Sequence, residues 1–283
     1  MQDKGIVGRL TGVSLGPGDP ELITRRGWAA LQSDAHWLYP VKGQGADSYA
    51  LEILRRSGLL LPADAEPLHF PMTSDPETLA LAWTQAALRC IELLRQGRDL
   101  LFLVEGDAST YSTFGHLART VRELLPEVVV EVIPGVPSFN AAAACIAQPL
   151  VEEGHTLAIV PAAYGVAVID RLLDDFDTLV LLKIKPLLDP LLDLLERRGL
   201  LPHARFFEKV GNPDQRLVQD VQSLRGQRVA YLSLLLVRNP DRVRQPLHAG
   251  CNPVKTGSPA TLPAADAQTV RVAPGPSEIR SHD

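Results

Sequence analysis

The most regular stretch of the chain follows Asp75-Pro76. Leu79, Trp83, Ala86, Ala87, Cys90, Ile91 and Leu94 recur at steps of three and four residues, the period of one helix face. Asp75 stands where an N-cap belongs, and Gly97 where a left-handed C-terminal cap belongs. The next run, 100–104, is apolar at every position, as in a strand covered on both faces. Gly106-Asp107 breaks it. A helix over 111–125, a strand over 128–133, a Pro134-Gly135 turn and a helix over 138–147 are predicted to follow. Upstream, residues 9–15 read as a buried strand and 35–39 as a second. Helices are expected over 21–33 and 47–57, with Asp47 capping the latter. After Gly154 the alternation resumes, with strands over 156–160, 179–184, 204–207 and 229–237 and helices near 165–174 and 187–198.

Strand–turn–helix repetition specifies an α/β fold with mostly parallel sheets and helices on their faces. The break at Pro149-Leu150-Val151-Glu152-Glu153-Gly154 suggests two α/β domains, 1–150 and 151–243. From Arg244 to the end there are six prolines, no aromatic residue and little periodicity, which reads as a flexible Pro-rich tail over 244–283.

Composition narrows the function classes. At 46% hydrophobic and 22% charged, the 283 residues supply enough apolar material for one or two cores. A net charge of −5 and a pI near 5.8 give no basic face for nucleic acid or an acidic membrane. No stretch reaches the roughly 18 apolar residues of a membrane helix, and Met1 to Leu10 lacks a signal-peptide core, so a cytoplasmic location is expected. Cys90, Cys145 and Cys251 are too far apart for a metal site or a disulfide framework; the first two are expected as core thiols. The seven histidines form no ligand-spaced cluster, so no metal site is expected.

Three turns fall at the carboxyl ends of predicted strands, where open parallel sheets bind ligands. The first is Gly16-Pro17-Gly18-Asp19-Pro20. It lacks the spacing of a dinucleotide or P-loop site, and taken alone it fits a tight strand-to-helix turn equally well. The second, from Glu105 through Gly106, Asp107 and Thr110 to Thr113, is dense in hydroxyls and carboxylates that suit either helix capping or ligand binding. The third runs from Ile133 through Pro137 and Ser138 to Asn140 and precedes four alanines, small enough for close packing of a flat ligand or of another backbone.

Together the loops resemble the signature of the tetrapyrrole (corrin and sirohaem) methylases. The resemblance lies in Gly12-Val13-Ser14-Leu15-Gly16-Pro17-Gly18-Asp19-Pro20 with Leu22-Ile23-Thr24, in Gly106-Asp107 with Tyr111-Ser112, and in Pro134-Gly135-Val136-Pro137-Ser138, in order over about residues 8–240. Tyr39-Pro40, Phe70-Pro71-Met72-Thr73, Trp83 and Lys209-Val210-Gly211 with Pro213 and Gln215-Arg216 are similar to the branch that methylates C20 of precorrin-2 or cobalt-factor II. Two residues depart from the pattern: Ala108 stands in place of the usual proline, and Pro137 in place of the usual Ser or Thr.

This resemblance implies S-adenosyl-L-methionine held in a cleft between two α/β domains, a tetrapyrrole substrate and a homodimer. Carried over by motif, the cofactor residues are Pro17, Glu105, Gly106, Asp107, Thr110, Pro137 and Ser138, with Lys183, Val210, Gly211 and Tyr231 from the second half. Candidate bases are Asp19, Asp107, Glu208 and Tyr231. Lys42, Lys185, Lys209, Arg216 and Arg238 are candidates for the substrate carboxylates. Three alternatives stay open: another corrin or sirohaem methylase, a methyltransferase of this fold acting on RNA or the diphthamide precursor, and a binding module without catalysis.

Overall fold

The computed structural model describes residues 6–43, 45–73 and 75–243. The tail reading for 244–283, with Cys251, lies outside the described residues. Two five-stranded sheets organise the chain. The first holds β1 (Arg9–Ser14), β2 (His36–Val41), β3 (Glu66–His69), β4 (Leu100–Val104) and β5 (Val129–Ile133) in the order β3-β2-β4-β1-β5, every pairing parallel. Its helices are α1 (Arg25–Leu31), α2 (Tyr49–Arg56), α3 (Pro76–Arg95), α4 (Thr113–Leu124) and α5 (Ser138–Cys145).

The strongest sequence patterns become the firmest elements. Asp75 caps α3 by accepting from the Thr78 N–H at 2.9 Å, and Gly97 lies just past its end with φ +78°. The face with Ala86, Ala87, Cys90, Ile91 and Leu94 is buried, and so is all of β4. Elsewhere boundaries move. The helix expected over 21–33 is a 3-10 turn at Pro20–Leu22 followed by α1, because Thr24 supplies the better cap: its Oγ1 accepts from the Gly27 N–H at 3.2 Å. Asp47 does not cap α2; Ser48 occupies that position without a side-chain cap bond. Cys90 is a core thiol, pushed up to about 12 by burial, but Cys145 is exposed at the end of α5 and touches Gln215.

The second sheet holds β6 (Leu157–Pro161), β7 (Thr178–Leu182), β8 (Ala204–Glu208), β9 (Arg216–Val218) and β10 (Ser233–Arg238), with α6 (Val166–Asp175) and α7 (Leu188–Arg197). Its order is β6-β7-β10-β8-β9. Here the expectation of a mostly parallel sheet is corrected: only β6 and β7 pair in parallel. A parallel return needs a crossover of a dozen or more residues, and the seven residues 209–215 between β8 and β9 permit only an antiparallel hairpin. Residues 229–232, expected in a strand, precede β10 instead, and the short β3 and β9 were not anticipated.

Helix α5 joins the two layers. It follows β5, yet Phe139, Ala141 and Ala142 pack on Val180, Phe207, Leu234 and Leu236 of the second sheet. The alanine run is thus explained by a helix lying close on a sheet face.

Candidate active site

Strands β1, β4 and β5 are neighbours and parallel, so their three carboxyl-end loops emerge side by side. Main-chain bonds join Gly16 and Gly106 in both directions, at 3.2 and 2.7 Å. The Ala108 N–H donates to Ser14 Oγ at 2.8 Å. Asp107 ties the second loop to the third: Oδ2 accepts from the Gly135 N–H at 2.9 Å, while Oδ1 accepts from the Ser109 N–H at 3.0 Å, Thr110 Oγ1 at 3.1 Å and the Ser109 hydroxyl. Burial pushes the Asp107 carboxyl up, but these bonds outweigh it and hold it below the usual carboxylate range. Ala108 now has a reason: a proline could not donate to Ser14.

The facing wall comes from the second sheet, at the end of β7, the end of β8 and the start of β10. Between the walls lies one cleft lined by Pro17, Glu105, Gly106, Asp107, Thr110, Pro137, Ser138, Lys183, Val210 and Tyr231. The eleventh expected residue, Gly211, does not line it. Gly211 has φ +77°, and a Cβ there would sit 2.7 Å from the Asp19 nitrogen; one on Gly18 would sit 2.6 Å from the Val210 carbonyl oxygen. Loop 16–20 and loop 209–215 therefore pack backbone on backbone. Around this contact, Asn212 donates to Tyr49 Oη at 3.2 Å and to Glu52 Oε1 at 3.0 Å, and Arg56 donates to the Gly18 carbonyl at 2.7 Å.

The electrostatics centre on Glu105. Burial raises its carboxyl to about 7, against the opposing pull of Lys42 and Lys183 and with a further push from Glu52. Burial likewise pushes the nearby Tyr49 phenol up to about 12. The Lys42 and Lys183 ammonium groups lie 5.0 and 6.0 Å from the centroid of the Tyr231 ring.

The base candidates separate. Asp19 Oδ1 accepts from the Glu21 N–H at 3.0 Å and does not line the cleft. Glu208 accepts from the Ala230 N–H and lies 3.7 Å from Arg216. Asp107 is saturated by the loops. Tyr231 lines the cleft, and its hydroxyl has no hydrogen-bond partner among the described residues. The cations separate too. Lys209 lines the cleft, 3.4 Å from Asp214, and Lys42 stands beside it against the Tyr231 ring. Arg216 is engaged by Gln227 and Glu208, Lys185 sits in a 3-10 turn, and Arg238 lies at the far end of β10.

The cleft also takes in Tyr111, Phe139, Leu182, Phe207 and residues 232–234, which the sequence reading did not assign. Tyr111 and Phe139 stand inside the recognised loops and were within reach of motif reasoning. The others are ordinary residues of β7, β8 and β10, with Leu232 just ahead of β10, and carry no local signal. Among the described residues no group of His, Cys, Asp or Glu is arranged to hold a metal ion, and no helix is long and apolar enough to cross a membrane.

The fold and site define an α/β protein that offers a mixed apolar and acidic cleft between a parallel and a mixed sheet. Residues 9–224 match the family model of the tetrapyrrole (corrin/porphyrin) methylases, and the chain belongs to that family. It is 32% identical to the cobalt-precorrin-2 C(20)-methyltransferase of Salmonella typhimurium over 231 residues, 81% of this chain and 96% of that protein. It is 30% identical to the precorrin-2 C(20)-methyltransferase of a Sinorhizobium species, covering 82% of this chain and 95% of that one. The crystal structure of the methyltransferase CobJ superimposes with a TM-score of 0.60 at 21% identity, over 84% of this chain and 97% of CobJ.

Proposed function

We propose that the chain transfers the methyl group of S-adenosyl-L-methionine to C20 of a precorrin-2-type macrocycle in cobalamin biosynthesis. The observation that carries this reading is convergence. Ten of the eleven positions taken from the family motifs, drawn from six separate stretches of sequence, line one cleft. The relatives at 30 and 32% identity that bear the C20 name align over nearly their whole length.

The residues present fit the methyl donor. The apolar side chains of Phe139, Leu182 and Val210 suit a flat adenine, and the carboxyl of Glu105 suits a cationic sulfonium or ammonium. The donor, when bound, supplies an electrophilic methyl, and the macrocycle supplies an electron-rich carbon. The contribution of this chain is then orientation: Asp107 orders the first wall, and the packing of Gly18 on Gly211 with the bonds of Asn212 holds the second wall in register with it, so that methyl and carbon are brought into line, an effect of positioning more than of group chemistry. Tyr231 is the base candidate that keeps both a place in the cleft and an unengaged hydroxyl. Lys42 and Lys209 take substrate carboxylates at the mouth. The same reading includes a cytoplasmic homodimer and the two sheets as two domains, 1–150 and 151–243.

Turnover of precorrin-2 and of cobalt-factor II, side by side with a labelled methyl donor, tests the proposal. Label at C20 of either macrocycle supports it, and the faster substrate distinguishes the metal-free from the cobalt route. Label at another carbon, or on RNA, overturns it. Sedimentation of the purified protein checks the dimer.

A further inference from the structure

The far end of the second sheet holds a pocket unrelated to the cleft. Thr178 pairs directly with Arg238, and Arg205 with Leu236, so Arg205 and Arg238 stand diagonally on adjacent strands and on one face. This is the face that α5 covers further along. The pocket between them is also bounded by His203, Gln148 and Pro149, and no carboxylate is among its lining residues. Since β10 runs from the cleft at Ser233 to Arg238, the two sites are about 17 Å apart along the strand.

Both arginines are half-buried as residues, and neither has a carboxylate partner among the described residues. Arg205 donates only to the Pro202 and Ala204 carbonyls, at 2.8 and 2.7 Å, and Arg238 only to the Pro149 carbonyl. Most donors of the two forks therefore stay free. The Thr178 hydroxyl, on a residue 3% exposed, has no partner among the described residues either. Like charges at diagonal positions on neighbouring strands repel. Elsewhere the chain neutralises such arginines: Arg89, Arg198 and Arg225 each reach two carboxylates. In a chain of net charge −5, two unpaired arginines facing one carboxylate-free pocket form a local positive site.

We propose that this pocket is an oxyanion site that holds a phosphate-class dianion between Arg205 and Arg238, with the Thr178 hydroxyl as a third donor. Guanidinium forks match tetrahedral oxyanions in geometry and charge. The source is either free orthophosphate or a phosphate monoester. The site is independent of the methyl-transfer reading, because it shares no residue with the cleft. The occupant would also reach the segment at 146–150 that leads from the first sheet to the second.

Calorimetric titration of the full chain with orthophosphate, with glycerol 3-phosphate and with acetate, all at one ionic strength in chloride, tests this. Binding of orthophosphate or of the ester, at least tenfold weaker in R205Q and absent for acetate, is the expected result. Binding of the ester alone identifies a phosphorylated metabolite as the occupant; binding of both identifies a solvent-accessible phosphate site. At ten times its dissociation constant the ligand should raise the unfolding midpoint by about 3–5 °C. In R205E the new carboxylate faces Arg238, so this variant should match or exceed the thermal stability of the unliganded wild type while losing the phosphate response. No binding of either phosphate, equal binding of acetate, or unchanged phosphate binding in R205Q overturns the proposal. A less stable R205E that still responds to phosphate overturns it as well.

Discussion

At the scale of single residues, the two acidic side chains of the second loop do opposite work. Glu105 has few internal partners and is raised to about 7 by burial; Asp107 accepts four hydrogen bonds and is held low. For Glu105 the folded protein keeps a proton that the unfolded chain releases between the ordinary 4.5 and about 7. Stability should therefore fall as pH rises through that window, by at most about 3 kcal/mol. Urea unfolding at pH 5 and pH 8 should show this loss in the wild type and its absence in Glu105→Gln. Binding of a cationic methyl donor should expel the same proton, which calorimetry at pH 6.5 in two buffers of different ionisation enthalpy detects. For Asp107→Asn the amide presents two donors where only donors approach. It should cost about 2–3 kcal/mol in urea unfolding and remove most activity through loss of loop order. Both acids were named from the motif. Their division of labour was not legible, because it depends on Gly135, 28 residues away.

At the scale of elements, the cleft depends on how loop 16–20 meets loop 209–215. Gly16-Pro17-Gly18-Asp19-Pro20 looks like a ligand loop in the sequence, but Gly18 serves a close approach of backbone to backbone. Gly211 combines a left-handed φ with contact to Asp19. Gly211→Ala should cost about 2–4 kcal/mol, from the φ and from the clash together. It should also raise the KM for the methyl donor more than it lowers kcat, since Val210 lines the cleft one residue away. Unchanged stability in thermal unfolding would count against this packing role. The alanines of α5 teach the same lesson: their small size was visible, while the partner, a sheet formed about 40–95 residues later, was not.

At the scale of the whole molecule, two sheets built from successive parts of the chain face each other across the cleft with few direct polar links. One is the Tyr111 hydroxyl, which donates to the Ile159 carbonyl of β6 at 2.8 Å from a backbone with φ +50°. Tyr111→Phe removes that bond and keeps the ring. It should cost about 1 kcal/mol in chemical unfolding and weaken donor binding severalfold, as the walls lose part of their register. A donor affinity equal to that of the wild type in calorimetry would remove Tyr111 from this account.

Sequence alone determined the α/β alternation, the core strand β4, the capped helix α3 and the three loops that mark the family, because each is encoded by neighbours within about twenty residues. It also brought ten cleft residues into one proposal, since a motif records a shared site even where contacts are distant. Tertiary structure alone decided the mixed pairing of the second sheet, the exposure of Cys145 and the removal of Gly211 and Arg238 from the cleft. The physical reason is common to all four. A side chain's period and charge specify which face it favours, but which surface that face meets is settled only when remote segments pack.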